Sequence, residues 1–182
     1  MSPEQRALYD AIVGGPRASG PALFRLVDER GALEGPFNAF LLHPPIGEAL
    51  QAVGAAVRYR GRLTDRAREI AILLVAAHRD SAFERYAHEA VGAAAGLSPA
   101  ELDAVRRLRP GTFEDDAERL VADTTLALLE DGDLDDDRYA AFTARFDEAT
   151  LFELLTLVGY YTTLALQLNV FRVAAPDGGG RA

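Results

Sequence analysis

Three polar side chains in one short segment have the residue types and the spacing for acid–base chemistry. Ser81, Glu84 and His88 stand at positions i, i+3 and i+7, so a helix would carry them on one face. A carboxylate four residues before an imidazole can fix its tautomer and raise its basicity, which leaves the other ring nitrogen to move a proton. The Ser-x-x-Glu pattern is also that of a capping box, so Ser81 and Glu84 could instead close the N-terminus of the helix.

A further glutamate, Glu69, stands just before a wholly apolar run on the preceding predicted helix. If the two helices form an antiparallel hairpin about a turn at Arg79, Glu69 and His88 are each about 10 residues, or about 15 Å, from that turn. The two side chains would then meet across the hairpin. The alternative is a first-turn glutamate that is stabilised by the helix dipole and paired with Arg62 or Arg66.

Arginines are concentrated just before this segment, with five in the eleven residues from Arg58 to Arg68. A guanidinium group suits a carboxylate or phosphate, so one or two of them could hold the anionic group of a small substrate. The rest of such a run is usually solvated or paired with the protein's own acids. We expect the substrate-binding side chains to come from four residues: Ser81, Arg58, Arg62 and Arg66.

Composition excludes several other kinds of chemistry. The chain has no cysteine, which excludes thiolate nucleophiles, disulfides and iron–sulfur or zinc–cysteine sites. All 19 basic residues are arginine, so lysine Schiff bases and pyridoxal phosphate anchoring are excluded as well. A metal site built from His78, His88, Glu69 and Glu84 matches no standard ligand spacing, and we expect neither a metal nor a cofactor. The net charge of −9 disfavours nucleic acid and anionic membranes as partners.

The elements that must position these residues read as one all-helical domain over residues 1–173, followed by a disordered Gly-rich tail, 174–182. Residues 16–35 contain five Gly or Pro and are expected to be irregular. The run Ile70–Ala77 is apolar on every side, which predicts a position at the centre of the fold. Helices are predicted over about Pro3–Val13, Pro44–Tyr59, Asp65–His78, Ser81–Ala95, Ser98–Arg107, 113–131, Asp137–Phe146 and Thr150–Val173.

Neither a membrane-spanning segment nor a signal peptide is expected, because no stretch reads as long and apolar enough and the first ten residues are polar. The simplest location is therefore the cytoplasm.

Residues 63–97 resemble the carboxymuconolactone decarboxylase family, which is related to the alkylhydroperoxidase-D-like (AhpD-like) proteins. The matching features are Arg66-Ala67-Arg68-Glu69, the apolar run, Phe83-Glu84-Arg85-Tyr86-Ala87-His88 and Ala93-Ala94-Ala95-Gly96-Leu97-Ser98. The resemblance implies an all-α helical bundle with a central antiparallel helix hairpin. It also implies a trimeric or hexameric homo-oligomer with Glu69, Glu84 and His88 in one pocket near a subunit interface.

The peroxidase branch of this family has a Cys-x-x-Cys pair where Ser81 and Glu84 stand here, so a thiol peroxidase is disfavoured. The prediction is a cofactor-independent carboxy-lyase or isomerase that acts on a small carboxylated lactone or unsaturated acid. His88 would deliver or remove the proton, and Glu84 would orient the His88 ring. Glu69 would be a second acid–base group or proton relay. The alternative is a non-catalytic binding or assembly protein on the same fold.

Overall fold

A computed structural model describes residues 1–15, 23–109, 111 and 113–176. These residues form α-helices with no strand, apart from one isolated bridge between Val27 and Leu33, and the all-α prediction is confirmed. The helices are α1 (Pro3–Val13), α2 (Pro36–Phe40), α3 (Pro44–Tyr59), α4 (Asp65–His78), α5 (Ala82–Ala94), α6 (Pro99–Arg106), α7 (Asp116–Glu130), α8 (Asp136–Arg145) and α9 (Glu148–Val170).

Side-chain caps set most of the helix starts. Ser2 and Ser98 form complete capping boxes, and Thr64 accepts a hydrogen bond at the start of α4. The start predicted at Thr150 is wrong, because Asp147 caps α9 and its carboxylate accepts from both the N–H and the hydroxyl of Thr150. The helix begins a turn earlier as a result, at Glu148.

The segment predicted to be irregular lies partly outside the described residues, which omit 16–22. From Leu23 to Gly35 it has no helix, and the one-turn helix α2 that follows was not predicted. The predicted tail is described only as far as Pro176, where Ala175 is buried, and residues 177–182 lie outside the described part.

Helix α4 is the centre of the bundle, as its sequence predicted. Every residue from Ile70 to Ala76 is at most 2% exposed, because α5, α6, α7 and α9 all pack against this helix. An apolar side chain is therefore buried on whichever side of α4 it projects. This packing holds Glu69, one residue before the run, at the end of the most enclosed helix.

Helix α9 corrects the expectation that no segment is long and apolar enough to cross a membrane, because its 23 residues meet that criterion by length and composition. Half of the qualifying window is buried inside the domain, where Leu154, Leu157, Leu164 and Leu168 belong to the hydrophobic interior. That burial is typical of a core helix in a globular fold.

Candidate functional site

The α4–α5 hairpin brings Glu69, Glu84 and His88 together, and we call these three residues the triad. Nδ1 of His88 lies 2.7 Å from Oε2 of Glu69 across the hairpin. Nε2 of the same ring lies 3.4 Å from Oε2 of Glu84, one turn earlier on α5. All three side chains are buried, and Glu69 is 0% exposed. The imidazole thus lies between two carboxylates.

The capping alternative for Ser81 is not realised. Its side chain makes no cap hydrogen bond to α5, and its buried Oγ has no hydrogen-bond partner among the described residues. Glu84 instead contacts His88 and lines a pocket. The Ser-x-x-Glu pattern at the start of α5 therefore does not act as a capping box here.

A small pocket opens beside the triad. Glu84 and His88 lie in its wall, whereas Glu69 stands behind His88 and does not line it. Arg58, from the last turn of α3, supplies a cation to the same wall. The pocket volume is about 20 Å³, which is room for about one water molecule. Its other walls are mainly aromatic and apolar and include Phe24, Phe37, Phe83, Tyr161 and Leu164.

The two glutamates lie on opposite sides of the imidazole ring, and only Glu84 lines the pocket. A carboxylate at Glu69 accepts a hydrogen bond from Nδ1–H and thereby sets the tautomer of His88. The other ring nitrogen, Nε2, then faces Glu84 on the pocket side. Glu69 is therefore placed to orient His88, and Glu84 is the carboxylate on the pocket side of the ring.

Tyr161, on α9, belongs to the hydrophobic core and also lies against the triad. Its ring meets that of His88 edge-on, with centroids 5.1 Å apart. Burial, followed by the charges of Glu84 and Glu69, raises the pKa of Tyr161 well above its usual value. The phenol is therefore neutral at physiological pH.

Arg68 was not assigned to the site, yet its guanidinium Nε lies 3.9 Å from Oε1 of Glu69. The side chain is buried and also binds Asp65 at 2.6 Å. The sequence signal that could have identified Arg68 is its place directly before Glu69, where the wholly apolar run of α4 begins. Its positive charge offsets part of the cost of burying the Glu69 carboxylate.

The structure does not bring the other predicted substrate-binding residues into the pocket wall. Arg62 pairs with Asp147 at the start of α9. Arg66 binds Glu101 at 2.6 Å and Glu118 at 2.7 Å, and these contacts raise its pKa. Both arginines thus bind the protein's own acids, and neither pairs with Glu69, which was the alternative considered for that residue. Ser81 likewise lies outside the pocket lining.

In the described part of the chain, no group of three or more His, Asp or Glu side chains is placed to hold a metal ion. The triad is arranged in a row rather than around a point, since each ring nitrogen of His88 faces a different carboxylate.

Comparison with known proteins gives a structural match. No protein-family model and no curated protein matches the chain. The fold is similar to the crystal structure of a protein of unknown function from Agrobacterium tumefaciens, a candidate antioxidant defence protein of the AhpD type. The two share 19% sequence identity with a TM-score of 0.68, over 79% of this chain and 99% of that one. At this identity the similarity shows the fold alone, and the fold is that of the AhpD-like helical proteins.

Proposed function

We propose that this protein is an acid–base enzyme similar to carboxymuconolactone decarboxylase, a cofactor-independent lyase or isomerase acting on a small carboxylated lactone or unsaturated acid. The observation that carries the proposal is the buried row Glu69–His88–Glu84, which ends on a pocket that also contains Arg58. A histidine held from behind by a carboxylate and facing a second, pocket-lining carboxylate can transfer protons in both directions.

In the decarboxylation, Arg58 would bind a carboxylate of the substrate through its guanidinium group. The C–C bond to the departing carboxylate breaks, and its electron pair passes into the conjugated lactone, which serves as the electron sink. Glu84, which receives a proton from Nε2 of His88, then transfers that proton to the resulting dienolate carbon. Carbon dioxide and the protonated product leave, and the triad regains its proton from water.

The pocket must widen for this reaction, because about 20 Å³ does not hold a carboxylated lactone. Phe24 is the wall residue suited to move, since it lies outside the helices and is only half-buried. The aromatic rings around the opening would then exclude water from the dienolate.

The small pocket also favours the second candidate function, a binding or assembly protein that has the fold without the chemistry. The thiol peroxidase reaction of AhpD proteins is not proposed, because the chain supplies no cysteine. A cytoplasmic location and a homo-oligomeric state, trimeric or hexameric, complete the proposal.

The function is tested by turnover of 4-carboxymuconolactone and related keto-lactone acids. Turnover is monitored by carbon dioxide release and by the change in ultraviolet absorbance. We expect turnover by the wild type and its loss in His88→Ala, with helicity unchanged by circular dichroism. Equal turnover in both proteins would refute acid–base catalysis by the triad. Binding of the same acids without turnover, retained in His88→Ala, would support the binding protein instead.

A further inference from the structure

Helix α9 has an exposed face without charge, opposite the face that packs in the core. The exposed positions fall within an arc of about 100° and run about 27 Å along the helix. No charged residue occurs between Glu153 and Arg172. We call this face the α9 stripe, and it consists of Phe152, Leu155, Gly159, Thr163, Leu166 and Val170.

The α9 stripe reads the same from either end. Two large apolar residues stand at each end, and two small residues, Gly159 and Thr163, stand in the middle. No atom outside the neighbouring helix backbone lies within 4 Å of where a Cβ on Gly159 would be, so the middle of the stripe is open. The Thr163 hydroxyl donates to the Gly159 carbonyl at 3.0 Å and needs no further partner. The pattern is centred near position 161.

Such a pattern is self-complementary under a two-fold axis. If two copies of α9 cross near position 161 in antiparallel orientation, Phe152 of one copy lies against Val170 of the other. Gly159 of one copy then lies against Thr163 of the other, and two small residues at the crossing let the helix backbones approach closely.

The charges at the helix ends favour the antiparallel orientation over the parallel one. Helix α9 begins with Glu148, directly after its cap Asp147, and its end is followed by Arg172. Antiparallel pairing places Arg172 of each copy at the level of position 150 of the other, within a turn of Glu148. Parallel pairing would instead place like charges and like helix-dipole ends together.

The exposed apolar area is enough for a specific contact. Phe152 is 71% exposed, Leu155 44%, and Leu166 and Val170 64% each, and Phe171 at the helix end is 55% exposed. With side chains of this size, the stripe and Phe171 present about 500 Å² per copy, or about 1,000 Å² per pair, the lower bound for a specific interface. The net charge of −9 and the absence of lysine disfavour an anionic membrane as the occupant.

We propose that the α9 stripe is a homodimer interface in which two copies of this chain pair their last helices antiparallel about a two-fold axis. A larger assembly is compatible with this contact only if its number of copies is even, so the contact selects the hexamer over the trimer among the two states of the proposed function. The proposal does not depend on the enzymatic activity.

Sedimentation equilibrium of the wild type and of the double variant Leu155→Glu/Leu166→Glu tests the interface. We expect a mass that is an even multiple of 19.6 kDa in the wild type and half that mass in the variant. Both residues are substantially exposed, so the fold should persist, which circular dichroism checks. Ile46→Glu, which places the same charge on an exposed apolar position of α3, is the matched control and should leave the mass unchanged.

Chemical cross-linking tests the orientation, because the natural chain has no cysteine to interfere. With a short bis-maleimide, a mixture of Gly159→Cys and Thr163→Cys chains should cross-link efficiently. Phe152→Cys alone should not, since antiparallel pairing separates the two copies of position 152 by about 27 Å.

Several results would overturn the proposal. These are a monomeric wild type, a trimer, a mass that the double variant leaves unchanged, or efficient cross-linking of Phe152→Cys to itself. Binding of the monomer to phosphatidylcholine vesicles, lost in the double variant, would also overturn it and identify the stripe as a membrane-contact face.

Discussion

Glu69 holds His88 from the side away from the pocket, with its Oε2 2.7 Å from Nδ1. Glu69 is fully buried and reaches the pocket only through the imidazole. The contact fixes which ring nitrogen is directed toward Glu84. Two glutamates that look equivalent in the sequence therefore differ in their access to the pocket, because only Glu84 lines it.

Substitution of the two glutamates should separate these positions. Glu84→Gln removes the carboxylate that faces the substrate and should lower kcat about 10²–10⁴-fold, the usual contribution of a positioned acid or base. Glu69→Gln should also lower kcat, but through the tautomer, so ¹⁵N chemical shifts of His88 should change in Glu69→Gln more than in Glu84→Gln. Glu89→Gln, next to His88 on α5 but paired with Arg106, is the matched control. An unchanged kcat in Glu84→Gln would contradict the assignment.

Arg58 should determine affinity for the anionic substrate rather than the rate of proton transfer. A lost charge-assisted hydrogen bond costs about 1.5–3 kcal/mol, so Arg58→Gln should raise KM or the Kd of a non-reacting acid about 10–150-fold. Arg62→Gln, in the same run but bound to Asp147, should leave the affinity unchanged. Titration calorimetry gives both values, and equal losses in the two variants would point to general electrostatics instead of a binding residue.

Removal of the Phe24 ring should widen the pocket opening. Because about 20 Å³ must expand before a lactone can bind, Phe24→Ala should lower KM and accept bulkier acids. The measurement is KM across a series of acids of increasing size. Phe37→Ala removes a ring from the same pocket wall, but this ring is buried in the core, so the variant should also lose stability. A KM that does not depend on residue 24 would show that substrate enters elsewhere.

Tyr161 makes stability depend on pH in the alkaline range. Burial, with Glu84 and Glu69 adding to it, raises the pKa of Tyr161 in the folded protein above that in the unfolded chain. The unfolded state therefore loses this proton first, so the stabilisation is complete below about pH 10 and falls as the pH rises beyond it. Urea unfolding of the wild type should show this loss, and Tyr161→Phe should show less of it.

Tyrosinate absorbance provides the independent check on Tyr161. The protein has six tyrosines, and the folded wild type at pH 11 should show the same tyrosinate signal as Tyr161→Phe. A signal smaller by one tyrosine in the variant would mean that Tyr161 ionises normally.

Gly35 should be intolerant of a side chain for two reasons. Its φ is +61°, and a Cβ there would clash with the ring of Phe83, a wall of the pocket. Gly35→Ala should cost about 1–3 kcal/mol from overpacking, in addition to about 1–2 kcal/mol of backbone strain. Gly132→Ala, at φ +72° in open space, should show the strain alone. Urea unfolding gives the difference, and equal costs would mean that Phe83 yields without penalty.

Local signals in the sequence predicted most of the helices. Ser2, Thr64 and Ser98 cap helices that begin where the sequence predicted them, and the central position of α4 followed from a run with no polar side. The start of α9 was misassigned because Asp147 and Thr150 both fit a cap, and only the backbone path selects between them. The expectation that no segment meets the membrane criterion was wrong for α9, because a long apolar core helix has the same length and composition as a spanning helix.

The sequence predicted that Glu69, Glu84 and His88 would lie together, but not how the three are arranged. Helical spacing puts Glu84 near His88, yet which nitrogen faces which glutamate depends on the rotation of α4 against α5. Arg62 and Arg66 could not be separated from Arg58 by sequence, because their acidic partners lie 35 to 85 residues away. Nothing in the sequence indicated that Tyr161 belongs to the site, because its neighbours are apolar and its contact with His88 arises only when α9 packs against α5.

The all-round burial of α4 has a consequence for the timescale on which the site holds its geometry. Amides in a helix covered on every side exchange with solvent only when the whole domain unfolds, so Ile70–Ala76 should contain the slowest-exchanging hydrogens in the protein. Glu69 adjoins that segment, whereas Phe24 lies in an irregular, half-exposed stretch that can open by itself. The triad would therefore keep its geometry for as long as the domain stays folded, while its entrance opens and closes many times.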